Sequence, residues 1–190
     1  MFDAEAPRRL ARELRHAPDR LLHGWRRADL KRRLRARPPA SVLFVCHGNI
    51  CRSPFAEVLA RRLLAERRAG IGLCSAGFFG PGRPAPETAI EAARAHGVEL
   101  GPHRSQLLTP ALVRGADLIL VMDARQRGAV AAQFGRHGPE VAVLGDLDPE
   151  PVTRRAIRDP VEQPREVFDA SYARIARCVR ALVEAIAPQA

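Results

Sequence analysis

The sequence contains few aromatic residues and no long hydrophobic run, and both absences limit what the protein can be. Tryptophan and tyrosine occur once each, and aromatic residues make up 5% of the 190 residues, so the core must be mostly aliphatic. No stretch approaches the roughly 18 consecutive apolar residues of a membrane-spanning helix, and the N-terminus lacks the apolar segment of a secretory signal. With four cysteines and no export signal, we expect reduced thiols and a cytoplasmic protein.

Acidic residues are scarce at the beginning of the chain. The formal net charge is +10, but residues 1–40 carry 12 Lys and Arg against 5 Asp and Glu, whereas the remaining residues carry 19 against 16. The proline pair of "ARPPA" closes this segment. We therefore predict a basic N-terminal extension over 1–40, partly helical or disordered, and one domain over 41–190. The extension is either a solvated or loosely docked segment or a surface for an acidic partner, anionic lipid or nucleic acid.

From residue 41 onward, short buried strands alternate with helical segments. Alternation of this kind predicts an α/β fold, a three-layer sandwich with a central four-stranded parallel sheet. The apolar runs place the strands at 42–45, 71–75, 118–122 and 141–144. Periodicity and capping signals place the first helix from Ser53, its N-cap, to a stop near Gly70, and the others at 87–96, 123–134 and 168–186.

The stretch "VLFVCHGNICRSPFAEVLA" at 42–60 combines a strand, a short polar loop and a helix start. Cys46 ends the strand, at the edge of a parallel sheet where ligands bind. Gly48 permits close backbone approach and Asn49 tolerates a left-handed conformation, so the loop amides and the helix N-terminus can cradle a tetrahedral anion. Arg52 adds a planar fork for two phosphate oxygens, and the same positive field stabilises a Cys46 thiolate. The sequence therefore predicts a phosphate loop that holds a phosphoryl group against a nucleophilic sulfur.

Two other interpretations of this loop are open from the residues alone. Cys46 could be a structural cysteine beside an exposed arginine. Cys46, His47 and Cys51 could also bind a metal, although no second ligand pair with zinc spacing is present. The Walker-type phosphate loop is absent, so nucleotide hydrolysis is not indicated.

The same stretch, followed in order by "CSAG" at 74–77, "ADLILVMD" at 116–123 and "IRDP" at 157–160, resembles the low-molecular-weight protein tyrosine phosphatase family. The resemblance covers about residues 41–187, and "LGDLDP" is most similar to bacterial members linked to exopolysaccharide control. It implies a cysteine-dependent phosphomonoester hydrolase that needs no metal or cofactor. Its substrate would be a phosphotyrosine protein or another phosphomonoester, and its product inorganic phosphate.

The resemblance also implies catalytic roles for four residues. Cys46 would be the nucleophile that forms a phosphocysteine, and Arg52 would hold the equatorial oxygens of the phosphoryl group. Ser53 would hydrogen-bond the sulfur, in addition to or instead of capping the helix. Asp159 would protonate the leaving oxygen and then activate water, although Asp-Pro alone is also a common turn sequence. The substrate-binding loop would consist of His47, Gly48, Asn49, Ile50 and Cys51.

Supporting residues follow from the same resemblance. Asn49, Ser75 and His103 match positions whose hydrogen bonds hold the loop in shape, while Ser75 and His103 could otherwise be ordinary strand-end and surface residues. Cys51 matches a cysteine that forms a reversible disulfide with the nucleophile in the family; alternatively it is a small buried thiol. Cys74 and Cys178 lie in apolar patterns typical of core.

One position departs from the family pattern, which has an aromatic residue directly after the Asp-Pro pair. Here Val161 follows Pro160, so one wall of a tyrosine slot is missing or replaced. Phe78 and Phe79 either supply an aromatic surface or fill the core. Selectivity for phosphotyrosine depends on which of these holds.

Two other functions compete with the phosphatase. An arsenate reductase of related fold needs further cysteines to resolve the arsenylated thiol, and residues 145–163 contain none. A non-catalytic phosphate-binding regulatory module would not need Cys46, Arg52 and Asp159 together. We therefore expect phosphomonoester hydrolysis.

Overall fold

The computed structural model describes the backbone of residues 6–135 and 140–188, with side chains from residue 17 onward in those ranges. The helices are α1 (Ala6–Ala36), α2 (Arg52–Glu66), α3 (Glu87–Arg94), α4 (Pro110–Arg114), α5 (Ala124–Phe134) and α6 (Arg165–Ile186). The strands are β1 (Ser41–Cys46), β2 (Gly72–Gly77), β3 (Leu118–Val121) and β4 (Glu140–Val143), and a 3-10 turn spans Leu144–Leu147.

The four strands form one parallel sheet in the order β2-β1-β3-β4. Successive side chains of β1 point to opposite faces: Val42 and Phe44 enter one hydrophobic cluster, and Leu43 and Val45 enter the other. The first cluster lies under α2, α3 and α6, and the second under α4 and α5. The three-layer α/β prediction is therefore confirmed.

Two local predictions were incomplete or wrong. Ser53 is not an N-cap, since α2 begins at Arg52 and its capping position is Cys51, which makes no side-chain cap hydrogen bond. Helix α4 was not predicted, although Thr109 caps it by accepting a hydrogen bond from the Leu112 amide, with Pro110 in its first turn. The 3-10 turn has no comparable capping signal in its sequence. It packs against α1 and α6, which are distant in sequence, so local patterns do not predict it.

Helix α1 packs against the same core as the helices of the domain. The side chains of Leu30 and Leu34 are 1% and 2% exposed, and both lie in the cluster formed by α2 and α6. Burial of each stabilises the docked helix by about 1.5–3 kcal/mol. His23 adds a hydrogen bond from Nε2 to the Asp148 carbonyl oxygen at 2.9 Å. None of the described helices has the length and hydropathy needed to cross a membrane.

Candidate active site

The predicted phosphate loop, residues 47–51, leaves the carboxyl end of the central strand β1 and enters α2. Cys46 is 3% exposed at that strand end, between β2 and β3. Placement at this edge of a parallel sheet matches the position where α/β folds bind ligands.

Three successive carbonyl groups of this loop accept hydrogen bonds from outside it. The donors are the Phe78 amide to His47 O at 2.8 Å, Arg83 Nη2 to Gly48 O at 2.9 Å, and His103 Nε2 to Asn49 O at 2.7 Å. Because a carbonyl only accepts, Nε2 of this histidine must carry the proton. Donors outside the loop therefore hold the carbonyl groups of three successive loop residues, which fixes the shape of the loop.

Asn49 holds the loop from within. Its φ is +51°, the left-handed conformation that asparagine tolerates. Its Nδ2 donates to Ser53 Oγ and Ser75 Oγ, both at 2.9 Å, and its Oδ1 accepts from the Gln106 amide at 2.9 Å. The backbone donor at Oδ1 determines which way the amide is oriented, so all its hydrogen-bonding groups here have defined partners.

This network determines how Ser53 contacts the sulfur. Ser53 Oγ lies 3.0 Å from Cys46 Sγ and already accepts a hydrogen from Asn49. The serine hydroxyl hydrogen is therefore available to be donated to the Cys46 sulfur.

Gly77, at the end of β2, allows the strand to pass directly under the loop. A Cβ at this residue would lie 2.8 Å from the Asn49 amide nitrogen and 2.9 Å from the Gly48 carbonyl carbon, closer than such atoms approach. A Cβ at Gly48 would lie 2.5 Å from Arg83 Nη2. Glycine is therefore needed at residue 77, where the close atoms belong to the backbone, whereas at residue 48 the close atom is the end of the flexible Arg83 side chain. Gly77 was not identified from the sequence.

Arg52 and Asp159 meet in the pocket, although 107 residues separate them. Arg52 is 3% exposed; its Nη1 donates to Ile157 O at 3.1 Å, and its Nη2 forms an ion pair with Asp159. Its Nε is buried and has no hydrogen-bond partner among the described residues. Such a buried N–H is costly unless an acceptor pairs with it, which an anion in the pocket would do.

The acid loop, residues 148–163, is held by charges that sequence reasoning missed. Asp148 is fully buried and accepts hydrogen bonds from the guanidinium groups of Arg174 and Arg177 on α6. Asp146 binds Arg155 through two hydrogen bonds of 2.7 and 2.6 Å, which raise the pKa of that guanidinium. These pairs anchor the loop that carries Asp159, and no local sequence signal predicts them because the partners lie up to 29 residues apart.

A cavity of about 340 Å³ opens above Cys46. Eight of the residues predicted as site residues line it. Phe79 and Asp159 lie in later segments, and the other six belong to the end of β1, the loop and the start of α2: Cys46, His47, Gly48, Ile50, Cys51 and Arg52. Phe79 contacts the edge of His47, with ring centroids 4.3 Å apart. Phe78 does not line this cavity and packs against the second core cluster.

Three further lining residues, Arg83, Val161 and Gln163, were not predicted as site residues. The guanidinium of Arg83 lies 5.1 Å from the Phe79 ring centroid and also hydrogen-bonds the loop at Gly48. Its position within a segment rich in glycine and proline gave no sequence signal of this role.

The second pocket thiol, Cys51, is a poor nucleophile. Burial, followed by the neighbouring Cys46 and Asp159, raises the pKa of the Cys51 thiol far above its usual range, so it stays protonated. Burial likewise raises the pKa of Cys74 and of Cys178, which lie outside the pocket. All four cysteines are free thiols in the structure, and the predicted Cys46–Cys51 disulfide stays a prediction.

Comparison with known proteins places this geometry in a family. Residues 41–190 match the model of the low molecular weight phosphotyrosine protein phosphatase. The low molecular weight protein-tyrosine-phosphatase Etp of Escherichia coli K12 is 37% identical over 138 residues, which cover 72% of this chain and 88% of Etp.

Solved structures agree. The crystal structure of the Erwinia amylovora tyrosine phosphatase AmsI has a TM-score of 0.69 at 34% identity, covering 77% of this chain and 93% of AmsI. The YwlE arginine phosphatase of Geobacillus stearothermophilus has a TM-score of 0.67 at 28% identity, covering 76% and 90%. With the family model, the curated relative and these structures in agreement, the chain belongs to the low-molecular-weight protein-tyrosine-phosphatase family of enzymes.

Proposed function

We propose that this enzyme hydrolyses phosphomonoesters of tyrosine in proteins through a phosphocysteine formed on Cys46. The observation that carries the proposal is the convergence of three groups on one pocket. A hydrogen-bonded sulfur on Cys46, a buried guanidinium on Arg52 and a carboxyl group on Asp159 all line it. These are the nucleophile, the phosphate ligand and the proton donor that such a reaction requires.

In the first step, the Cys46 thiolate attacks phosphorus and the bond from phosphorus to the leaving oxygen breaks. Asp159 in its acid form donates a proton to that oxygen, so the product leaves as a neutral phenol. Arg52 and the loop amides hold the three equatorial oxygens. In the second step, water attacks phosphorus, the Asp159 carboxylate accepts its proton, and the sulfur leaves with a hydrogen bond from Ser53.

The ion pair between Arg52 and Asp159 couples substrate binding to the acid role. A phosphate dianion and the Asp159 carboxylate compete for the same guanidinium donors. Binding of the dianion therefore weakens the hold of Arg52 on Asp159. The carboxyl group is then free to carry a proton next to the leaving oxygen.

Asp159→Asn is expected to lower kcat for phenyl phosphate by roughly 10²–10⁴, because an amide cannot donate a proton to a poor leaving group. The loss should be much smaller for 2,4-dinitrophenyl phosphate, whose leaving group needs no proton. Asp169→Asn on the exposed face of α6 is the matched control and should keep the wild-type kcat. Equal losses on both substrates would remove Asp159 from the acid role.

Phe79 is proposed to replace the aromatic wall that Val161 does not supply. It is 44% exposed and lines the cavity together with Val161. Phe79→Ala is expected to raise KM for aryl phosphates about 3- to 10-fold and leave KM for an alkyl phosphate nearly unchanged. Steady-state kinetics on the two substrate types measure this, and a parallel rise for both would mean that Phe79 shapes the loop and contacts no substrate ring.

The overall function is tested by turnover of p-nitrophenyl phosphate, competition by orthovanadate, and mass spectrometry of the acid-quenched enzyme. We expect turnover, competitive inhibition and one phosphoryl group on the Cys46 peptide. Phosphate affinity without turnover would identify a binding module instead. A substrate panel of phosphotyrosine peptide, phosphosugar, phosphoarginine and arsenate then assigns the class, and we expect the phosphotyrosine peptide to have the highest kcat/KM.

We also infer that the enzyme works in a reducing compartment such as the cytoplasm. We infer further that residues 1–40 are an extension that contacts an acidic partner, anionic lipid or nucleic acid. The four free thiols support the first inference. The excess of basic residues before residue 41, where the family match begins, supports the second.

A further inference from the structure

Helix α1 packs on the domain with one face and exposes the opposite face to solvent. One face packs on the domain through the buried side chains of Leu30 and Leu34 and through the hydrogen bond of His23 to Asp148. At about 100° per residue, Leu21 lies half a turn away from Leu30, so the helix presents a second face to solvent.

That second face carries large apolar side chains. Leu21 is 78% exposed, Trp25 one turn later is 68% exposed, and Leu22 at the side is 44% exposed. Of the five large hydrophobic residues that are exposed in the described part of the chain, these are three. We call Leu21, Leu22 and Trp25 the α1 patch. A cluster of this kind on a surface helix indicates a contact with another molecule.

Basic residues surround the α1 patch. Between residues 17 and 37 the chain has eight Lys and Arg and two Asp, and Arg20 and Arg35 are exposed. The two acidic residues are both engaged: Asp29 pairs with Arg32 and Arg33, and Asp19 pairs with Arg26. The exposed side of α1 therefore combines the apolar α1 patch with exposed basic residues along the helix and at its end, Arg20 before the patch and Arg35 and Arg37 after it.

We propose that α1 binds the surface of an anionic lipid bilayer, lying parallel to it with the α1 patch in the headgroup region. A basic amphipathic helix with Trp and Leu on its apolar face suits this interface, since the cations meet lipid phosphates while the apolar side chains leave water. A nucleic acid would use the arginines but not the two exposed leucines. This inference rests on the contact proposed above for residues 1–40, of which it selects the anionic lipid, and it does not depend on the phosphatase chemistry.

Because α1 is docked on the catalytic domain, lipid binding by α1 would also place that domain at the membrane. The Asp19 carboxylate accepts a hydrogen bond from the Arg155 amide at 3.1 Å, and His23 bonds Asp148, so the helix turn that carries the α1 patch contacts the acid loop. A lipid-bound α1 would hold the catalytic domain at the bilayer, where it could act on substrates close to the membrane.

The test uses the full chain and two kinds of vesicle, phosphatidylcholine alone and phosphatidylcholine mixed with phosphatidylglycerol. Trp25 is the single tryptophan of the chain, so its emission reports the α1 patch directly. We expect cosedimentation with the anionic vesicles, a blue shift of the emission, and loss of both in high salt. Equal binding to both vesicle types, or no binding to either, would overturn the proposal.

Paired variants locate the binding surface. Leu21→Ala with Trp25→Ala should weaken cosedimentation at least about tenfold, because two apolar side chains no longer leave water. Leu21→Glu with Leu22→Glu should abolish it and leave Trp25 emission unshifted. The control combines Arg125→Gln with Arg127→Gln on the exposed side of α5, which lowers the net charge by the same two units as the Leu21→Glu and Leu22→Glu pair. This control protein should bind the anionic vesicles at most a few-fold more weakly than wild type.

Two further measurements separate the possible failures. The melting temperature and p-nitrophenyl phosphate turnover in the absence of lipid should match wild type in every variant, since the α1 patch is exposed. Wild-type lipid binding by the patch variants would contradict the proposal even if turnover is normal. Binding to duplex DNA or an acidic polypeptide without binding to anionic vesicles would assign α1 to that partner instead.

Discussion

A Cys46→Ser variant is expected to hydrolyse no detectable p-nitrophenyl phosphate while still binding inorganic phosphate. The serine hydroxyl is a weak nucleophile unless a base removes its proton. The groups that contact position 46 supply none, since Ser53 donates its hydrogen toward that position and the Asn49 amide only supports Ser53. The proposed anion ligands, Arg52 and the loop amides, are unchanged, so affinity for phosphate should persist.

Two measurements give this prediction its control. Cys74→Ser replaces a half-buried thiol outside the cavity and should keep the wild-type kcat. Calorimetry with inorganic phosphate reports whether the Cys46→Ser loop is still formed. Residual turnover near the wild-type rate would mean that another group, such as the buried Cys51 thiol, is the nucleophile.

Arg52→Lys is expected to lower kcat/KM by roughly 10³ or more, comparable to the loss when an arginine that stabilises a phosphoryl transition state is removed. The guanidinium contacts Ile157 O and Asp159 through two different nitrogens, and its third N–H, on Nε, has no partner among the residues that the structure describes. A lysine ammonium is a point charge and cannot span the backbone carbonyl and a phosphoryl group at once. Phosphate affinity should fall together with the rate.

Because Arg52 is buried, its replacement must be shown to act on the site and not on folding. The melting temperature of Arg52→Lys should stay within a few degrees of wild type, and Arg127→Lys on the exposed face of α5 should keep full activity. A folded Arg52→Lys enzyme with the wild-type kcat/KM would show that catalysis does not need the bidentate contact between the guanidinium and the phosphoryl group.

Much of the fold and the centre of the site could be predicted because their signals are local. β1 is a continuous apolar run that is buried on both faces. Such a run is typical of a strand inside a parallel sheet, so the sequence predicts it directly. The loop after it brings Cys46, Asn49, Arg52 and Ser53 together within eight residues of sequence. Their proximity therefore needs only the strand-to-helix turn that the glycine and asparagine permit.

The flanks of the site could not be predicted, because they depend on contacts between distant segments. Which phenylalanine faces the cavity was open from the residues, and the strand end at Gly77 directs Phe78 to the core and Phe79 to the pocket. Arg83 joins the loop only because its segment folds back over Gly48.

Residues 1–40 show which properties the sequence determines and which depend on tertiary packing. Its basic charge, its helical tendency and the shared face of Leu21, Leu22 and Trp25 follow from the sequence alone. Periodicity could not tell that Leu30 and Leu34 are the side chains that reach the core, since a helix with two partial apolar stripes has no preferred buried side until a partner surface exists. The packed helices and the acid loop of the domain supplied that surface, because burying two leucines there is more favourable than leaving them in water.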